Sequence, residues 1–106
     1  MIDLRLGELT AESVEPFVGT EFHLDLADGR STTVTLNEAA KLNVRQPRRR
    51  TPLKREPFSL YFTGDPGIVL PQGMYNLRSE SARLEGVFLV PIGRDETATE
   101  YEAVFA

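Results

Sequence analysis

The fold is decided by residues 21–36, which read EFHLDLADGRSTTVTL. Phe22, Leu24 and Leu26 alternate with polar residues, and this period of two is typical of a half-buried β-strand. The turn-forming pair Asp-Gly at 28–29 follows, and then a run rich in β-branched residues. This order predicts a β-hairpin with one apolar face.

The length of the hairpin loop determines which residues face each other. A two-residue loop would pair Phe22 with Thr35 and place the apolar residues of the two strands on opposite faces. A three-residue loop, with Gly29 in the left-handed region, would pair Phe22 with Val34 and keep those residues on one face. We expect the three-residue loop, because it gives the hairpin a single face to bury.

One short helix is predicted before the hairpin, over residues 11–18. The hydroxyl of Thr10 can accept a hydrogen bond from an unpaired backbone N–H of the first turn. Gly19 suits the left-handed position that ends a helix. Pro16 lies deeper than the first turn, so the helix is expected to be barely two turns long or distorted.

Four more strands are predicted after the hairpin, over residues 58–62, 74–78, 82–90 and 101–105. Short turns join them and no second helical pattern occurs. The sequence therefore predicts one all-β domain over residues 1–106: a small, strongly bent antiparallel sheet or a partly open barrel with one short N-terminal helix. The expected core consists of Val14, Phe17, Phe22, Leu24, Leu26, Val34, Leu36, Leu60, Phe62, Val87, Leu89 and Val104.

The composition excludes several kinds of chemistry. The 106 residues contain no cysteine and one histidine, which rules out disulfides, a thiol nucleophile and a multi-histidine metal site. His23 and Asp25 share a strand face and could form a general acid–base pair, but a solvated surface is the favoured interpretation. The interpretation is the same for four acids that we considered as cation ligands: Asp95, Glu96, Glu100 and Glu102. We therefore predict a non-enzymatic protein without catalytic residues, metal, cofactor or small-molecule substrate.

Membrane insertion is not expected. The longest apolar run covers residues 86–93, far short of the roughly 20 residues that a spanning helix requires. The first six residues lack the basic start and the long apolar stretch of a signal peptide. We expect a cytoplasmic protein that makes no contact with membranes.

Charge is distributed unevenly along the chain. Residues 41–55 contain seven basic residues and no acid, whereas the rest has five basic residues and sixteen acids; the two parts carry +7 and −11, which sum to −4. Such asymmetry indicates a binding partner rather than a fold. The turn formers in this basic segment predict a long exposed loop over residues 46–56. The candidate binding residues are Lys41, Asn43, Arg45, Arg48, Arg49, Arg50, Lys54 and Arg55.

Two functions are compatible with the basic segment. The preferred one is a non-catalytic assembly or interaction module, which forms a homo-oligomer through strand edges and charged loops. The alternative is an RNA-binding protein, since several arginines can neutralise phosphates and contact them with two N–H groups each.

A further pattern spans the helix and the hairpin: Phe-Val-Gly at 17–19, the alternating residues 22–26, Asp-Gly-Arg at 28–30, and Leu36. This pattern resembles the opening of the Sm-like RNA-binding fold. The resemblance implies a short helix packed on a small bent barrel of Sm-like or SH3-like type, with RNA as a ligand. The positions at which that family binds RNA fall on Ala40 and Val44, with Asn43 beside the second, and Ile-Gly-Arg at 92–94 is a scrambled version of the family's second signature.

A broader similarity runs along most of the chain. Residues 55–60, 70–73, 90–93 and 101–105 resemble a family of small bacterial proteins without an assigned function. This resemblance implies a domain of unknown role and no catalytic residues.

Overall fold

The computed structural model describes residues 2–41 and 57–105. Within them the chain forms one short α-helix, two 3₁₀ turns at Leu6–Glu8 and Glu15–Phe17, and seven strands. The helix α1 spans Ala11–Val14, and the strands are β1 (Ile2–Leu4), β2 (Glu21–Asp25), β3 (Ser31–Lys41), β4 (Phe58–Gly64), β5 (Gly73–Arg78), β6 (Ala82–Arg94) and β7 (Thr99–Phe105). The predicted all-β class with one N-terminal helix is confirmed.

The strands form a single, strongly bent sheet in the order β1-β6-β5-β2-β3-β4-β7. A further pairing of β6 with β7 closes six of these strands into a ring. All neighbours in the ring are antiparallel, as predicted. Strand β1 lies outside the ring and pairs with β6 in parallel, which the sequence did not predict.

The hairpin of β2 and β3 has the expected three-residue loop. Phe22 pairs with Val34, and the N–H of Leu26 donates to the carbonyl of Arg30 at 2.7 Å. Gly29 has a φ of 88°, which only glycine adopts without strain. The Asp28 carboxylate accepts from the N–H of Arg30 at 3.0 Å and holds the turn. The apolar residues of both strands therefore point into the ring.

The helical segment begins as predicted but changes type early. The Ser13 N–H donates to the Thr10 hydroxyl at 3.1 Å, and the Thr10 N–H donates to the Ser13 hydroxyl at 2.9 Å. Of the expected helix over 11–18, only Ala11–Val14 is α-helical. The chain continues as a 3₁₀ turn because Pro16 has no N–H for an α-helical bond. Gly19, with a φ of 93°, leads into β2.

Replacing Thr10 by alanine is expected to lower the free energy of unfolding by about 1 kcal/mol, since it removes an N-cap acceptor. Thr10→Ser keeps the hydroxyl and serves as the control. Urea unfolding of both variants against the parent measures the effect. Equal losses in the two variants would mean that the cap hydrogen bond does not stabilise the helix.

The core lies inside the ring and contains most of the predicted residues. Phe17 and Leu26 are partly buried and pack against it. The prediction that Val104 belongs to the core is wrong, because Val104 is 57% exposed. Alternate residues of β7 point inward, so Tyr101 and Ala103 are buried and Val104 faces outward. Several large buried residues were not predicted from the sequence: Leu9, Phe58, Leu70, Leu77, Leu84, Tyr101 and Phe105.

Two segments close the ends of the ring. The helical segment lies near the end where β3 finishes, and it buries Leu9 and Val14. At the other end, the connection between β4 and β5 is held by the Tyr101 hydroxyl. This hydroxyl accepts from the N–H of Leu70 at 2.9 Å and donates to the carbonyl of Ile68 at 3.3 Å. The long connection is thus tied to the core.

Candidate interaction face

Lys41 is the predicted binding residue that lies within the described part of the chain. It ends β3, pairs with Phe58 of β4, and places its Nζ 2.5 Å from a carboxylate oxygen of Glu12. This hydrogen bond is the main reason why the pKa of Glu12 is lowered. Lys41 therefore links the sheet to the helix. The other predicted positions lie outside the described residues: Asn43, Arg45, Arg48, Arg49, Arg50, Lys54 and Arg55.

Four carboxylate- and hydroxyl-bearing residues gather on the outer face of β3, β4 and β7. Glu38 pairs with Tyr61, and Tyr61 pairs with Glu102, so the three side chains form one row across the sheet. Glu100 lies in the next row, opposite Thr63. The neighbouring residues of β4 point into the core, which turns Tyr61 outward. We call Glu38, Tyr61, Glu100 and Glu102 the acidic face.

Hydrogen bonds order the centre of the acidic face. The fully buried Ser59 hydroxyl donates to the Glu102 carboxylate at 2.8 Å. The pKa of the Tyr61 hydroxyl is raised mainly by a hydrogen bond to the same carboxylate and secondly by burial. The nearby charge of Glu38 raises it further. Tyr61 therefore stays protonated and neutral at the centre of the acidic face.

A shallow hollow of about 290 Å³ adjoins this row. Its lining includes Asn37, Glu38, Tyr61, Thr63, Ile92 and Glu100. The Asn37 amide donates to the Thr63 hydroxyl at 2.8 Å and fixes one wall. Carboxylates beside an aromatic ring suit a guanidinium or ammonium group, which can form ion pairs and lie over the ring.

An apolar stripe continues the same outer surface toward β5. It consists of Met74, Phe88, Val90 and Val104. Met74 is 74% exposed and pairs directly with Phe88, which is 44% exposed. Val90 lies two residues further along β6 and pairs with Glu102, and Val104 lies two residues beyond Glu102 on β7. The stripe therefore borders the acidic face.

The two other candidate sites have structural roles. The Asp25 carboxylate accepts two hydrogen bonds from the Arg78 guanidinium, at 3.0 and 3.3 Å, so its partner is an arginine of β5. The Asp95 carboxylate accepts from the Thr97 hydroxyl and from the N–H groups of Thr97 and Ala98. These bonds, the hydroxyl's first, lower the pKa of Asp95 and hold the β6–β7 turn. Within residues 2–41 and 57–105, no group of three or more potential ligands is placed to hold a metal ion.

Among residues 2–41 and 57–105 there is no helix with the length and apolar character that crossing a bilayer requires.

Only part of this surface was predicted from the sequence. Glu100 and Glu102 were considered there as cation ligands, whereas Glu38 and Tyr61, which come from two other strands, were not singled out. Their positions opposite one another depend on the pairing of β3 with β4 and of β4 with β7. A usable signal existed in β4, where Tyr61 stands between the buried residues Leu60 and Phe62 and must therefore face outward.

Comparison with known proteins gives one match. No curated protein and no solved structure is significantly similar to the chain. Nothing among the comparisons supports the Sm-like resemblance, which stays a prediction. A family described as Domain of unknown function (DUF6916) matches residues 9–105, nearly the whole chain, in agreement with the predicted relation to a family without an assigned function. The chain therefore belongs to the family of the domain of unknown function DUF6916.

Proposed function

We propose that this protein is a non-enzymatic self-association module, in which the basic segment of one copy contacts the acidic face of another. The observation that supports the proposal is the separation of charge. Residues 41–55 carry +7 and the remainder −11. Three carboxylates of that remainder are grouped on one face, around Tyr61. A chain that carries its positive and its negative charge in separate regions is complementary to a second copy of itself.

The position and the chemistry of the two regions support this pairing. The basic segment is joined to the sheet at Lys41, next to the Ala40–Ser59 pair and three residues from Glu38. Its arginines can bind carboxylates with two parallel N–H groups. A guanidinium can also lie over the ring of Tyr61. The arginines of the basic segment are therefore suited both to the carboxylates and to the aromatic ring of the acidic face.

RNA binding by residues 41–55 is the second candidate function. The arginine content of the segment favours it, because each phosphate contact releases counterions and adds affinity. The charge of −11 on the rest of the chain opposes it, since that surface repels a polyanion. We therefore propose self-association as the first candidate function and binding of cytoplasmic RNA as the second.

A charge exchange between two variants tests the proposal. One variant carries Glu38→Lys and Glu100→Lys on the acidic face, and the other carries Arg48→Glu, Arg49→Glu and Arg50→Glu in the basic segment. Each variant alone is expected to associate about tenfold more weakly than the parent, because several pairs worth roughly 0.2–1 kcal/mol each become repulsive. An equimolar mixture is expected to regain association, since both contacts are again between opposite charges.

Light scattering and sedimentation at low salt measure the association, because salt screens exposed charges. Glu21→Lys with Glu80→Lys makes the same charge change on β2 and after β5, away from the acidic face, and serves as the control. A mixture that stays dissociated would contradict contact between copies. A parent that stays monomeric but binds short RNA, with affinity falling steeply in salt, would favour the second candidate.

A further inference from the structure

The ring of strands is weakly joined at one seam, between β2 and β5. Among residues 2–41 and 57–105, these two strands pair at His23 and Arg78 and nowhere else. The same antiparallel register would next bring Asp25 opposite Asn76, but no pair forms there. Strand β5 nevertheless continues to pair with β6 as far as Gly73. The part of β5 before Arg78 is therefore paired along one edge only, within the described residues.

The backbone groups of Met74 and Asn76 point away from β6, toward the unpaired edge. The N–H of Ser79 donates to the carbonyl of Ala82 at 2.8 Å, so this pair is hydrogen-bonded at the β5–β6 turn. Hydrogen-bonded and non-hydrogen-bonded pairs alternate in an antiparallel ladder. The bulge in this ladder places its extra residue in β6, so the alternation along β5 is unbroken. Arg78, Asn76 and Met74 thus direct their N–H and C=O groups toward the seam.

A hollow of about 360 Å³ lies along this edge. Its lining includes Met74, Asn76 and Arg78 of β5, and Asp25 of β2 on the other side of the seam. An edge with unpaired backbone groups is a template for a further strand. Since β2 stands opposite, the edge of a second folded sheet would collide with it, whereas a single extended segment adds no neighbouring strand of its own. The hollow therefore suits one extended chain.

The lining also indicates the chemistry of that chain. Two carboxylates and two guanidinium groups line the hollow, those of Asp25, Glu85, Arg78 and Arg83. Their formal charges sum to zero, and Arg78 is paired with Asp25. This balance favours neither a cation nor an anion. Met74 is 74% exposed and offers an apolar contact on the outer side of the edge.

We propose that the β5 edge binds an uncharged, extended peptide segment of a partner protein as an added strand. The N–H and C=O groups of Met74 and Asn76 form the hydrogen bonds, and an apolar residue of the segment packs beside Met74. This binding goes beyond the proposed self-association and does not depend on it. The edge belongs to β5, whereas the acidic face lies on β3, β4 and β7.

A synthetic strand is the probe for the first test. The capped peptide acetyl-Thr-Val-Thr-Val-Thr-amide is uncharged and consists of residues that favour strands. It is titrated into the isotope-labelled full chain and followed by NMR. We expect the amide signals of Met74 and Asn76 to shift, and the hydrogen exchange of these two amides to slow. A copy of the peptide N-methylated at both valines and at the central threonine lacks N–H groups on both edges. It is expected to bind at least about tenfold more weakly, because it cannot complete the ladder.

A pair of variants tests the same edge from the protein side. Met74→Pro removes the N–H that faces the hollow, whereas Met74→Leu keeps both this N–H and an apolar side chain. The N–H of Met74 is not used by β6, so proline is compatible with the remaining ladder. Asn76 is left unchanged, because its side-chain oxygen accepts from the N–H of Gly86 at 2.9 Å. Met74→Pro is expected to bind the peptide at least about fivefold more weakly than the parent, and Met74→Leu to bind like the parent.

Circular dichroism and thermal unfolding show whether the fold of each variant is intact. If Met74→Pro does not fold, the comparison of the two peptides on the parent decides by itself. Shifts at β5 together with weak binding of the N-methylated peptide support the proposal. A probe that leaves the β5 amide signals unchanged, or equal binding of the two peptides, overturns it, whatever the oligomeric state of the parent.

Discussion

Leu24→Ala is expected to lower the free energy of unfolding by about 2–5 kcal/mol. Leu24 is fully buried in β2, where it pairs with Thr32 across the hairpin and points into the ring. The substitution removes the transfer free energy of the lost methyl and methylene groups and leaves a cavity that the closed sheet can only partly fill. Urea unfolding, followed by circular dichroism at a concentration where the parent is monomeric, measures the change.

Val104→Ala is the matched control for this prediction. The alternation in β7 places Val104 on the outer surface, so the loss in the monomer is expected to stay within about 0.5 kcal/mol. A loss at Val104 as large as that at Leu24 would mean that β7 presents its other face to the core. Parent-like stability of Leu24→Ala would contradict the burial of β2.

Tyr101→Phe is expected to cost about 1–3 kcal/mol, the second largest effect. The Tyr101 hydroxyl accepts from the N–H of Leu70 and donates to the carbonyl of Ile68, and both Tyr101 and Leu70 are almost completely buried. Phenylalanine preserves the ring but leaves the Leu70 N–H without its acceptor. Water has little access to that position, so the desolvation cost is not recovered.

Tyr75→Phe is the control for Tyr101→Phe. The Tyr75 hydroxyl donates to the carbonyl of Pro71 at 2.5 Å, but Pro71 is exposed and water can replace this donor. The expected loss is therefore smaller, at about 1 kcal/mol or less. Urea unfolding compares the two variants, and faster hydrogen exchange of the Leu70 amide in Tyr101→Phe locates the effect. Equal losses would show that the 65–72 connection is not held by Tyr101.

Local patterns in the sequence determined most of the secondary structure. Phe22, Leu24 and Leu26 determined the face of β2, and the tripeptide at 27–29 determined the register of the hairpin, because loop length sets which residues oppose each other. Thr10 and Gly19 determined the start and the end of the helical segment. These features depend on residues a few positions apart, so they can be read without knowing the rest of the fold.

Strand ends and irregularities were harder to predict. Strand β6 continues through Pro91 to Arg94, and the register with β7 shifts between Pro91 and Gly93. Strand β3 continues to Lys41 with a similar irregularity around Asn37. A proline or an asparagine normally indicates the end of a strand. Beyond Leu89, β6 pairs with β7 alone, and beyond Leu36, β3 pairs with β4 alone; pairing on this one side outweighs the local preference.

Only the tertiary structure decided which distant residues became neighbours. The parallel pairing of β1 with β6 and the closure of the ring through β6 and β7 depend on contacts far apart in sequence. Glu38, Tyr61 and Glu102 come from three strands, and they form one row because two separate registers bring them together. The sequence by itself determined the uneven charge and the alternating strands. Strand pairing determined where the negative charge collects, and it placed Val104 beside that charge on the surface rather than in the core. A shift of one residue in either register would turn these side chains to the opposite face.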